Sequence, residues 1–214
     1  RTLKTDNPMD GIENSKHQAP KPDPLKPAEM EKILAHLKGG DVRAWAYFEF
    51  MFMTGMRPEE AIALRWGDID WNSGTIRVER AKTSGEEHAL KTYNARDVDL
   101  VDRALAALEA MKPWTSVGAV TEEDRALGRY IFENPITGRA WYDERSQRDT
   151  FWRPALRACG IRWRRPYQTL HTYATNALRA GVNPTYVSKQ MGHANAKMLF
   201  TVSSIGPSQY TFVG

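Results

Sequence analysis

At 214 residues, 41% of them hydrophobic, the chain can bury one large core; its single cysteine, Cys159, excludes an internal disulfide. No apolar run approaches the roughly 18 residues that a membrane-crossing helix needs, which leaves the cytosol as the expected place of action. The formal charge of +4 is unevenly laid out: residues 150–214 hold no Asp or Glu and carry Arg153, Arg157, Arg162, Arg164, Arg165, Arg179, Lys189 and Lys197, so residues 1–149 sum to −4.

Such segregation favours a polyanion at one end of the molecule, whereas a basic surface kept for solubility intersperses both signs. Along the chain, residues 1–27 read as a linker or arm, because Pro8, Pro20, Pro22, Pro24 and Pro27 disfavour helix and remove backbone donors. Pro27 suits the first turn of a helix, with Glu29 and Glu31 near its positive end and Gly39-Gly40 stopping it. Met30, Ile33, Leu34 and Leu37 repeat at helical spacing along it. A more apolar helix is predicted over 42–53, broken by Thr54-Gly55, and another after Pro58 with Ala61, Ile62 and Leu64 inward.

The period changes to two over 66–100. Ile76 and Val78 alternate with polar neighbours between turns at 72–74 and 83–85, and residues 96–100 alternate again. A small antiparallel sheet of about three strands is expected. Helices resume over 101–111, stopping before Pro113, then over 145–158 and 169–179, with Gly181 as a stop. Residues 130–132 suit a short extended piece, and Asn183-Pro184 starts a last helix with Val187 and Met191 inward. The expected class is mainly α with a small antiparallel sheet.

Taken singly, Arg57 after a Thr-Gly break, Lys82 at a strand end and His193 after Gly192 are unremarkable residues. In order they carry more. TGMRPEEAIALRWGDIDW (54–71), RAKTSG (80–85), YQTLHTYATNAL (167–178) and QMGHANAKMLFTVS (190–203) together resemble the phage-integrase family of tyrosine recombinases. The resemblance covers nearly all of residues 25–203. It implies a catalytic domain over 28–203, a linker remnant of an N-terminal DNA-binding domain over 1–27, and an atypical tail over 204–214.

The family breaks a DNA phosphodiester with a tyrosine, forms a 3′-phosphotyrosyl link and passes the strand to a new 5′-hydroxyl. It implies no metal and no cofactor. Duplex DNA with att-type sites is the expected substrate, at the bacterial nucleoid. Other recombinase protomers are the expected partners on DNA, with a monomer in its absence and no membrane partner. Arginines suit this chemistry because a guanidinium stabilises the extra charge of a pentacoordinate phosphate and binds two of its oxygens at once.

Position by position, Arg57 matches the first catalytic arginine, Glu60 the supporting acid, Lys82 the general acid and His193 the phosphate-contacting histidine. Tyr167 stands where the pattern has histidine and keeps a hydroxyl for a phosphate. Leu170 stands at the second arginine, and Ser203 at the nucleophilic tyrosine. A serine hydroxyl is shorter by a whole ring and lacks an evident activating base. Periodicity alone reads Leu170 otherwise, as one of an inward stripe with Tyr173, Ala174, Ala177 and Leu178. Arg162, Arg164 and Arg165 are expected at the DNA backbone. The sequence therefore supports a recombination domain impaired at two positions, or a DNA-binding remnant that no longer cuts.

Overall fold

The computed structural model describes residues 22–91, 94–118 and 122–193. The helices are α1 (Pro27–Gly40), α2 (Val42–Thr54), α3 (Pro58–Ala61), α4 (Asp102–Thr115), α5 (Glu122–Leu127), α6 (Glu144–Gln147), α7 (Arg153–Ala158), α8 (Gln168–Arg179) and α9 (Pro184–Gln190). The strands are β1 (Ile69–Asp70), β2 (Thr75–Val78), β3 (Arg80–Thr83), β4 (Glu86–Ala89) and β5 (Arg96–Asp99). Mostly helical with small antiparallel sheets, the fold is of the expected class. Among the described residues no helix is long and apolar enough to cross a membrane. Ser203, the tail over 204–214 and most of the arm lie outside the described residues.

α2 is the central element, because Ala46, Tyr47, Phe48, Phe50, Met51 and Phe52 are buried around it. α1, α4 and α8 pack on it, α1 through Met30, Ile33, Leu34 and Leu37 as its spacing predicts. Trp152 fills the same core, its ring 4.9 Å from that of Phe48 and its indole N–H donating to the Arg164 carbonyl at 2.7 Å. Replacing Trp152 with alanine is expected to cost about 3–5 kcal/mol, read by chemical denaturation, since both a large apolar volume and a satisfied polar handle are lost.

The expected antiparallel sheet of three strands is present, and a separate hairpin accompanies it. β1, β2 and β5 form one antiparallel sheet and β3–β4 a separate hairpin, with Lys82 opposite Glu87. The hairpin turns through Ser84 (φ 53°) and Gly85 (φ 83°), the two left-handed residues of a tight two-residue loop. β4 escapes sequence reading because none of its four residues is buried, so it leaves no alternation to detect.

Two helices also differ from expectation. α4 runs through Pro113 to Thr115. A proline that late removes one hydrogen bond, and Thr115 secures the end by donating to the Ile131 carbonyl at 2.9 Å. The helix expected over 145–158 contains a π-helical turn, Arg148–Trp152, where Pro154 can supply no N–H to the preceding turn.

Residues ahead of α1 are seated on α8 rather than free. Leu25 is buried with its N–H on Thr172 Oγ1 at 2.9 Å, and the Asp23 N–H reaches Gln168 Oε1 at 2.8 Å. α8 and α9 close a second, smaller apolar cluster of Leu170, Ala174, Leu178, Val187 and Met191.

Candidate active site

The first arginine is placed by a tight helix-to-helix junction. α2 ends at Gly55, whose φ of 62° and whose approach to α8 both require glycine: a Cβ there would lie 2.3 Å from the Tyr173 ring. Arg57 then caps α3, its N–H donating to Glu60 Oε2 at 3.1 Å and its guanidinium to Glu60 Oε1 at 2.9 Å. Burial opposes the Arg57 charge, but Glu60 and then Tyr167 outweigh it and raise its pKa.

Glu60 is 1% exposed and saturated. Besides Arg57, it accepts from Arg96 Nη1 at 3.0 Å and Arg96 Nη2 at 2.8 Å, a bidentate pair. Burial pushes the Glu60 carboxyl up, yet the hydrogen bonds and charge of Arg96, with the charge of Arg57, hold it below its ordinary value. Arg96 also donates from Nε to the Gln190 carbonyl at 2.7 Å. It packs so closely under Gly192 that a Cβ there would lie 2.8 Å from Nη1.

This contact sets the turn that presents His193. Its N–H donates to the Ser188 carbonyl at 3.0 Å, and among the described residues its Nδ1 has no hydrogen-bond partner. Burial, then the charges of Arg57, His171 and Arg96, push its pKa down to about 4. Tyr167, 37% exposed, opens α8 beside Arg57 and meets the His171 ring edge-on at 5.4 Å. Arg57, Glu60, Tyr167 and His193 therefore converge, from sequence positions more than a hundred residues apart.

Lys82 lies on the β3–β4 hairpin, whose strand β3 packs against α3. It is buried, its Nζ 3.2 Å from the Tyr130 hydroxyl and 4.3 Å from the ring centre, and that hydroxyl donates to Glu87 at 2.8 Å. Leu170 is 0% exposed within the α8–α9 cluster. The three arginines at 162–165 differ in their surroundings. Arg162 is exposed and pairs with Asp23, Arg164 is buried and pairs with Glu29 at 3.1 Å and Asp23 at 3.3 Å, and Arg165 is exposed. Carboxylates from 23–29 thus offset part of the charge that the acid-free segment carries.

Sequence reasoning missed Arg96 and His171. Arg96 left a signal: it is in phase with Val98 and Leu100 on an alternating strand, so it points inward, and a buried guanidinium requires a carboxylate. His171 left none beyond its place one turn from Tyr167.

A model of the phage integrase family matches residues 24–201. The putative defective protein IntQ of Escherichia coli (strain K12) is 31% identical over 214 residues, covering 92% of this chain and 53% of that protein. Prophage integrase IntR of the same organism is 31% identical over 209 residues, covering 91% of this chain and 50% of that protein. The chain spans about half the length of these curated relatives. In fold it is similar to the Tn1549 transposon integrase in complex with a circular intermediate DNA, with a TM-score of 0.73 at 18% identity, covering 91% of this chain and 64% of that one. Sequence and fold agree, and the chain belongs to the phage integrase family.

Proposed function

We propose that this chain is the duplex-DNA-binding catalytic domain of a site-specific recombinase, with strand cleavage impaired at positions 170 and 203. The observation that carries this reading is the Arg57–Glu60–Arg96 arrangement, which holds one partly exposed guanidinium beside Tyr167 and His193. Guanidinium, phenol and imidazole together suit the non-bridging oxygens of a phosphodiester.

In the family's reaction a tyrosine oxygen attacks phosphorus, the bond to the 5′ oxygen breaks, and a proton is delivered to that oxygen. Lys82, held by Tyr130, is the group assigned to that delivery. Leu170 contributes no donor, and loss of one donor to the transition state typically lowers rate by ~10²- to 10³-fold. Ser203 offers a hydroxyl too short to replace a tyrosine.

Phosphate binding survives both losses, because it is electrostatic and needs no nucleophile. In this reading Arg165 is the most available of the three arginines for the DNA backbone, since Arg162 and Arg164 already hold carboxylates. Protomers associate on att-type DNA, the free chain is a monomer, and the site of action is the nucleoid.

Duplex affinity is expected to fall steeply with salt, with a log–log slope of about −0.9 for each phosphate contacted. A labelled suicide duplex is expected to give no covalent adduct. Affinity indifferent to ionic strength would sink the DNA reading, while a trapped adduct would sink the impairment.

A further inference from the structure

Two guanidiniums share one buried carboxylate in this site, and they share it unequally. Arg96 engages both oxygens of Glu60, whereas the Arg57 side chain reaches only one, already shared with Arg96. Arg96 is 6% exposed and its Nε is occupied by the Gln190 carbonyl, so it cannot turn towards a ligand. Arg57 keeps 29% of its side chain exposed. One carboxylate between two guanidiniums leaves one net positive charge, and the geometry leaves it at the exposed partner.

We propose that Arg96 is a positioning residue that keeps Glu60 from neutralising Arg57, so that the Arg57 charge stays available to a phosphodiester. This rests on the reading of Arg57, Tyr167 and His193 as a phosphodiester site. Without Arg96, both Glu60 oxygens are left to Arg57, three residues earlier at the cap of the same short helix. The favoured result is a two-pronged Arg57–Glu60 pair, with the guanidinium drawn inward and its charge cancelled. Arg96 thus does more than fill the interior. It occupies the acid so that another base does not, and through its contact beneath Gly192 it supports the turn that carries His193.

The test compares affinities for a random-sequence DNA duplex in low salt among the unaltered protein, Arg57→Ala, Arg96→Met and Arg96→Met/Glu60→Gln. Arg96→Met is expected to weaken binding about tenfold, close to the effect of Arg57→Ala. Adding Glu60→Gln is expected to restore most of that loss, because a neutral amide positions Arg57 without cancelling its charge. A residue that only holds the fold predicts no such rescue. Unchanged affinity in Arg96→Met, or a double variant as weak as the single one, overturns the proposal.

If Arg57→Ala itself leaves affinity untouched, the phosphodiester reading fails and takes this proposal with it, an outcome distinct from failed rescue. Folding is checked by circular dichroism. Should Arg96→Met not fold, Arg96→Lys takes its place with and without Glu60→Gln. Lysine reaches one oxygen only, and the same pattern is expected at several-fold amplitude, its absence counting equally against the proposal.

Discussion

Replacing Glu60 with alanine is expected to destabilise the protein by about 3–5 kcal/mol, because it strands the buried guanidinium of Arg96 without a counter-charge. Glu60 is 1% exposed and Arg96 6% exposed, so neither charge is relieved by water. Urea unfolding at neutral pH is the measurement, and a loss below about 1 kcal/mol would mean that Arg96 finds another partner. Glu60→Gln is expected to cost less than Glu60→Ala, since the amide oxygen still accepts a hydrogen bond from Arg96.

The same site contributes to how stability varies with pH. Burial opposes the Glu60 charge, but Arg96 and then Arg57 hold its folded pKa below the ordinary 4.5. The unfolded chain therefore takes up the proton more readily, and this contribution, complete above that value, is lost as pH falls through the lower folded one. His193 acts in the same direction at higher pH: its ordinary 6.5 is lowered to about 4, chiefly by burial and then by Arg57. A neutral histidine favoured by the fold gives stability present above 6.5 and lost on acidification towards about 4. Unfolding curves taken downward from neutral pH are expected to show both windows, and the lower one should shrink in Glu60→Ala without vanishing, because hydrogen bonds from their partners outweigh burial and lower the carboxyls of Asp23, Glu29 and Asp41 as well.

Truncating Leu170 to alanine is the second large effect, expected at about 2–5 kcal/mol. Leu170 is wholly buried and joins Ala174 and Leu178 of α8 to Val187 and Met191 on the α9 side. That cluster seats the turn bearing His193, so duplex affinity is expected to fall together with stability. Leu170→Met, which nearly conserves volume, is expected to cost less than about 1.5 kcal/mol. Denaturation of the two variants side by side separates lost packing from any effect of composition. An alanine variant as stable as the parent would show that α9 is held by other means. In this chain, position 170 packs one helix on another.

Much of this was legible in the residues. The i, i+3, i+4, i+7 stripe of α1 is buried as it stands, and α1, α3 and α9 each begin on a proline, with Asn183 capping the last. These are local signals, carried by backbone geometry and by which face of a helix is apolar. β4 was illegible because it is exposed, and the helix through Pro113 because tertiary contacts of Thr115 outweigh one missing donor. Periodicity placed Leu170 in the core correctly, and only likeness to a family says what it replaces.

By itself the sequence determined the helical layout, the acid-free basic segment and the order of four motifs that mark the family. Only the tertiary structure decided which charges remain available. Arg164 and Arg162 turn out to face carboxylates from 23–29, and Glu60 turns out to belong first to Arg96 and only second to Arg57. A side chain's identity sets its charge, but the partner that offsets that charge is set by long-range packing. Glu60 and Arg96 are 36 residues apart in the chain and 2.8 Å apart in the fold. No spacing rule acts over that separation, so which of the two guanidiniums keeps its charge available is decided by packing alone.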